Sequence, residues 1–246
     1  MTNPAPHSAP DADELLRAAQ QVPHARVAKL KHNGRRYWIK RAEVTPLRFR
    51  LQKGNGAVAF RREVARLKAF AAKGVPVPPI LAETPDMIVL ADVGKPLTRL
   101  ARRASADEFQ HVLSLAAVAL AQLHAMGVSH GRPRLRDICW NRAEIRFVDL
   151  EAGARLRASR LRQARDLLVF LHSIFQNDPD ISAYADSALA AYAGADHGGI
   201  VPLARRIARW SRPVAFLAAP LIRGDRRRGK SNSEFVAFAD LLHFLS

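Results

Sequence analysis

Two short runs of alternating apolar and polar residues, Arg26-Val27-Ala28-Lys29-Leu30-Lys31 and Arg35-Arg36-Tyr37-Trp38-Ile39-Lys40, flank a His32-Asn33-Gly34 segment. Side chains alternate across a strand, so each run has one face for a core and one for solvent. Asn-Gly between two such runs is a strong short-range signal for a hairpin. The spacing predicts two antiparallel strands here, and a chain that starts this way commits its first third to a sheet.

The surrounding residues fill in that region. Residues 1–12 are rich in Pro, Ala and Ser and read as a disordered lead-in, with a short helix expected over Asp13–Gln21. Gly54-Asn55-Gly56 ends a loop, after which Val58, Phe60, Val64, Leu67 and Phe70 recur at helical spacing across Ala57–Ala72. Gly74 sits just past that helix, where a left-handed residue is tolerated. Val75-Pro76-Val77-Pro78-Pro79 is expected to be extended, because each proline pushes its predecessor out of the helical region. Met87–Leu90 reads as a buried strand and Asp92–Pro96 as a linker.

Downstream the pattern turns helical. A long apolar-rich helix is expected over Ala106–Met126, closed by Gly127, then two short strands, Ile138–Trp140 and Ile145–Asp149, around an Asn141–Glu144 turn. Leu161–Phe175, Ile181–Tyr192, Ile200–Trp210 and Phe235–Leu245 are further helix candidates. The organisation that follows is a tail and short helix over 1–24, a β-rich region over 25–92 with one inserted helix, and a helical region over 93–246.

Of the 246 residues, 48% are hydrophobic, enough for a buried core. No apolar run approaches the roughly 20 residues of a spanning helix, and the first residues lack the basic start and apolar stretch of a secretory signal. A cytoplasmic protein is expected, with peripheral contact at an inner membrane as an option. The single cysteine, Cys139, has no internal disulfide partner, which fits a reducing compartment. Lys and Arg number 39 against 22 Asp and Glu, a formal charge of +17. That excess points to a polyanionic partner: a nucleotide, an anionic acceptor such as a glycolipid or core sugar, an anionic membrane surface, or nucleic acid. An arginine-rich proteome would give the same excess with no partner at all.

Four places carry candidate chemistry. Lys40 ends an apolar strand, so its ammonium can project towards phosphate oxygens, although alone it is an ordinary strand lysine. Glu63, 23 residues on, lies in a helix from which it can hold that lysine by an ion pair. Ser129-His130-Gly131-Arg132 opens a loop that runs to Asp137, and Asp149 follows an apolar strand 12 residues after Asp137. Two carboxylates on neighbouring strands can hold Mg²⁺ and so neutralise the charge of β- and γ-phosphates.

In this arrangement the sequence resembles the protein-kinase-like superfamily. It is most similar to the small bacterial lipopolysaccharide core heptose and Kdo kinases, with some likeness to the compact kinase of the tRNA-modifying KEOPS complex. The resemblance covers roughly residues 25–175, about 60% of the chain. It rests on Lys40, Glu63, Ser129-His130-Gly131, Asp149, and a helix followed by Gly74-Val75-Pro76. It implies an α+β, two-lobed protein-kinase-like fold, with a small antiparallel sheet and one helix in the first lobe and a mainly helical second lobe. It also implies ATP and Mg as cofactors. Lys40 and Glu63 would bind nucleotide, Asp137 and Asp149 would hold metal, and the catalytic set would be Asp137 and Asp149 with Arg132 standing in the usual catalytic-base position. Asp166 resembles the helix aspartate that braces the catalytic loop of kinases.

Departures from that pattern bear on activity. The aspartate expected two residues after His130 is Arg132, and the expected asparagine is Asp137. No glycine-rich phosphate loop is evident, since the first turn offers only Gly34. Leu150-Glu151 stands where Phe-Gly is usual. Phosphoryl transfer depends mostly on positioning and charge neutralisation, so losing the base need not abolish it. General acid–base assistance is typically worth roughly 10²–10⁴-fold.

Three functions remain open: an ATP- and Mg-dependent phosphotransferase acting on a sugar or lipid-linked anionic acceptor, a pseudokinase that binds nucleotide or serves as a scaffold, and an RNA-associated platform. The Arg132, Arg134, Arg136 spacing raises the further idea that Arg132 contacts phosphate or an anionic substrate. His124 and His130 lack cysteine or histidine partners at zinc-ligand spacing, and His130 is expected to bond backbone near Asp149. Arg223–Ser231 is a basic run expected to be a flexible loop, either solvated or docking to anionic lipid or RNA. It lacks interleaved aromatics, which counts against base stacking.

Overall fold

The structure is a computed structural model that describes residues 11–43, 56–150, 153–177, 184–230 and 233–246. The lead-in 1–10, Gly54 and Asn55, Glu151, Ile181 and Ser231 lie outside the described residues. The chain is an α+β protein with antiparallel sheets and divides into two units, Met1–Val93 and Gly94–Ser246.

In the first unit, α1 (Ala12–Gln20) precedes β1 (Val27–His32) and β2 (Arg35–Arg41), which pair antiparallel with Val27 opposite Lys40 and His32 opposite Arg35. Asn33 and Gly34 both take positive φ, 47° and 71°, the geometry that a two-residue hairpin turn requires. Helix α2 (Gly56–Ala72) leads to β3 (Ile80–Glu83) and β4 (Met87–Ala91), giving the antiparallel order β1-β2-β4-β3. Strand β3 was not anticipated. It follows directly on Pro78-Pro79, and only three of its residues, Ile80, Ala82 and Glu83, pair with β4 before Thr84 turns the chain.

The period of two decides which side chain meets which helix. Leu30, Tyr37, Ile39, Met87 and Val89 pack with Leu15 and Ala19 of α1. On the other set, Trp38, Ile88 and Leu90 pack with Phe60, Val64 and Leu67 of α2. Lys40 alternates with Trp38, so it shares the α2 face of β2.

The second unit opens with β5 (Lys95–Pro96) and α3 (Leu97–Leu100), followed by α4 (Ala106–Ala125). The Ser105 side chain accepts from the backbone of Glu108, the S-x-x-E spacing of a capping box, and Gly127 at φ 70° ends the segment. A 3₁₀ turn (Leu135–Asp137) then feeds β6 (Ile138–Trp140), which pairs antiparallel with both β5 and β7 (Ile145–Phe147). Gly94 has no substitute here: a Cβ would lie 2.1 Å from the Trp140 carbonyl oxygen, and its φ is 97°.

Helices α5 (Arg160–Asn177), α6 (Ala185–Ala195), α7 (Ile200–Leu217), α8 (Ala219–Arg227) and α9 (Glu234–Phe244) complete the unit. α4 packs on α6, and α5 packs on α7 and α9. Two expectations are corrected. The helix expected to stop at Trp210 runs to Leu217: Pro213 forfeits one backbone donor, and the ladder resumes with Ala218 N donating to Val214 O at 2.9 Å. The basic run expected as a loop is helical through Arg227. Pro220 in its first turn starts that helix, Arg228 pairs with Asp225 at 2.8 Å, and Arg226 pairs with Asp240 of α9 at 2.6 Å.

Candidate functional site

The candidate residues fall into two constellations, one in each unit. In the first, Lys40, the penultimate residue of β2, lies on the face covered by α2, and its Nζ donates to Glu63 Oε1 at 2.5 Å. The side chains are 26% and 18% exposed. An ion pair sheltered to this degree fixes the lysine rotamer more firmly than a surface pair would.

The second constellation is the loop between α4 and β6. Ser129 exchanges backbone hydrogen bonds with Arg155 at 3.0 Å in each direction. Asp166 of α5, 1% exposed, accepts from His130 N at 2.6 Å and from Gly131 N at 3.0 Å. Behind it, His124 Nε2 lies 3.4 Å from Asp166 Oδ2, and His124 Nδ1 lies 2.5 Å from the Tyr192 hydroxyl. Burial, with the negative charges of Asp196 and Asp166 adding to it, raises the Tyr192 phenol well above its ordinary range. Gln163 Nε2 donates to His124 O at 2.7 Å and to Val128 O at 3.2 Å, tying the end of α4 to α5.

His130 joins the loop to the segment just after β7 that carries Asp149. Its Nε2 is 3.1 Å from the Val148 carbonyl, which can only accept, so that nitrogen carries the proton. Nδ1 is then free to accept from Arg132 N at 3.4 Å. One proton satisfies both contacts, and burial lowers the imidazole to about 4, so the ring is neutral at neutral pH.

Val148 N donates to Asp137 O at 2.9 Å, bringing the two aspartates together. Asp149 sits at φ 61°, in the left-handed region. The Asp137 carboxyl is pushed up to about 6, first by burial and then by the negative charge of Asp149. Arginines counter it: Arg132 Nη2 lies 3.9 Å from Asp149 Oδ2, and Arg136 Nε lies 3.5 Å from Asp137 Oδ1. Arg134 turns elsewhere, to Glu234 of α9 at 3.6 Å. The three arginines at alternate positions therefore do not act as one cluster.

Asp137 and His130 couple stability to pH in opposite directions. Asp137, raised from 3.8, binds its proton more tightly when folded, so its contribution to stability declines as pH rises through about 4 to 6. His130, lowered from 6.5, declines as pH falls through about 6.5 to 4. Asp137→Asn removes the first of these dependences alone. The variant should match the parent near pH 4 and exceed it by roughly 1–3 kcal/mol above pH ~6. Urea unfolding at both pH values checks this, and a constant difference would mean that Asp137 does not titrate in that window.

Four contacts were beyond sequence reasoning: Arg132 with Asp149, Arg136 with Asp137, His124 with Tyr192, and Gln163 with the end of α4. The only signal was the alternate spacing of the arginines. No protein-family model matches the chain. A protein of Haemophilus influenzae described as an uncharacterized protein is 31% identical over 159 residues, which is 64% of this chain and 65% of that relative's length. Among the described residues no three His, Cys, Asp or Glu side chains converge as a metal cluster, and no helix is long and apolar enough to cross a membrane.

Proposed function

We propose that the chain is a phosphotransferase of the protein-kinase-like type, passing the γ-phosphate of ATP, with Mg²⁺, to a hydroxyl of a sugar or lipid-linked anionic acceptor. The observation that carries this is the Lys40–Glu63 pair: a cation at a strand end, held in one rotamer by a glutamate from the helix covering that face. Lys40 binds the α- and β-phosphate oxygens, and Glu63 keeps its ammonium from wandering. Asp137 and Asp149 fit Mg²⁺ in kind, since both offer hard oxygen ligands and their charges already repel each other. Two carboxylates are sufficient, because Mg²⁺ usually completes its shell with water and substrate phosphates. When bound, the ion neutralises charge on the transferring phosphoryl group. His130 and Asp166 position the loop from both sides, and Arg132 offers a guanidinium to anionic oxygens.

The Arg132–Asp149 contact favours a second reading. A guanidinium 3.9 Å from the carboxylate supplies positive charge that a metal would otherwise provide. On that reading the chain is a catalytically degenerate module that binds nucleotide or acts as a scaffold.

Thermal shift distinguishes the two. ATP with Mg²⁺ at about 100 times Kd should stabilise the protein by roughly 2.7 kcal/mol, and ATP alone by clearly less. Lys40→Ala/Asp149→Ala should abolish the shift. The Mg²⁺-dependent part should fade below pH ~6, where Asp137 takes up a proton that competes with the ion. Equal shifts with and without Mg²⁺ would favour the degenerate module, and no shift in either condition would remove nucleotide binding altogether. Transfer itself is read by label from γ-labelled ATP entering a cell-envelope extract.

A further inference from the structure

Helix α7 changes character halfway along. Its first half is anchored by Ile200, Ala204 and Ala208, but beyond Ala208 it has no buried residue. In that second half Trp210 is 76%, Phe216 81% and Leu217 79% exposed, and Val214 and Leu221 are exposed as well. Trp210, Val214 and Leu217 follow one another at +4 and +3, so they lie along one face. Half of the strongly exposed large apolar side chains among the described residues fall within these twelve positions. A cluster of this kind on an otherwise ordinary surface marks an interaction site.

The charge around it selects the partner. Between residues 205 and 230 there are nine Lys and Arg and one acidic residue, Asp225. Asp225 is engaged by Arg228, and Arg226 by Asp240. Arg209, Arg212, Arg223 and Arg227 are exposed on the same two helices. Cationic side chains beside a protruding Trp, Val and Leu set match a surface that is anionic outside and hydrocarbon beneath. Nucleic acid would match the charge but not Val214, Leu217 and Leu221, since aliphatic side chains make no stacking platform for bases.

We propose that the second half of α7 and the start of α8 form a docking element for an anionic phospholipid surface, with Trp210, Val214 and Leu217 entering the acyl boundary and the arginines meeting the headgroups. The element works without Lys40 or Asp149, so it stands apart from the phosphotransferase reading. The full chain should bind vesicles of phosphatidylcholine with phosphatidylglycerol at least about tenfold more tightly than vesicles of phosphatidylcholine alone, with high salt weakening the binding. Trp210→Ser/Val214→Ser/Leu217→Ser changes only exposed residues. It should keep the parent's circular dichroism and lose at least about tenfold in affinity for the anionic vesicles. Brominated acyl chains should quench tryptophan fluorescence in the parent and much less in Trp210→Phe. Undiminished vesicle binding by the triple serine variant would overturn the proposal. So would absence of quenching, or a preference for single-stranded RNA over the vesicles that the triple variant shares.

Discussion

Asp166→Ala is expected to lower the thermal midpoint by on the order of 10 °C. The carboxylate is almost fully buried and accepts from His130 N and Gly131 N. Removing it leaves two backbone donors without a partner, each costing roughly 1–3 kcal/mol, and opens a small cavity. In a chain of this length each kcal/mol is worth about 2–4 °C. Asp166→Asn keeps one acceptor oxygen and should lose about half as much. Calorimetry on both variants checks the pair, and an alanine variant melting within about 2 °C of the parent would show that the loop is held by other contacts.

The other large effect concerns Arg132. If this chain transfers phosphate slowly because a base is missing, then Arg132→Asp should raise label incorporation from γ-labelled ATP by roughly 10²-fold, the lower end of what a positioned base contributes. The substitution also takes a guanidinium away from Asp149. Arg132 N can still donate to His130 Nδ1 after the exchange, because that bond uses backbone. A fall in activity would mean that the guanidinium itself takes part in transfer. If neither protein transferred label while both bound ATP, the degenerate module would be the better account.

The early sheet was legible because its signals are local. Asn33-Gly34 fixes a turn through two consecutive positive φ angles, and alternation along Tyr37–Lys40 assigns each side chain a face. The same alternation put Lys40 opposite the helix that carries Glu63. His130 was expected to bond backbone near Asp149, and it does so through Val148. Helix α8 was missed because Gly224 and a run of arginines look like a loop, while the bonds that hold it reach Asp240, distant in sequence. The arginine partners of Asp137 and Asp149 were missed for a related reason. Which carboxylate a long side chain meets depends on loop curvature, and that curvature is set by Asp166, Val148 and Ser129 together.

Position 149 is governed by its backbone as well as by its carboxylate. At φ 61° most residues are strained, and only glycine, asparagine and aspartate occupy such a site readily. Of these three, aspartate alone brings a negative charge. Drift at this codon that spares the turn must therefore neutralise the residue, so descendants of this chain can lose the anion in one step while keeping their shape.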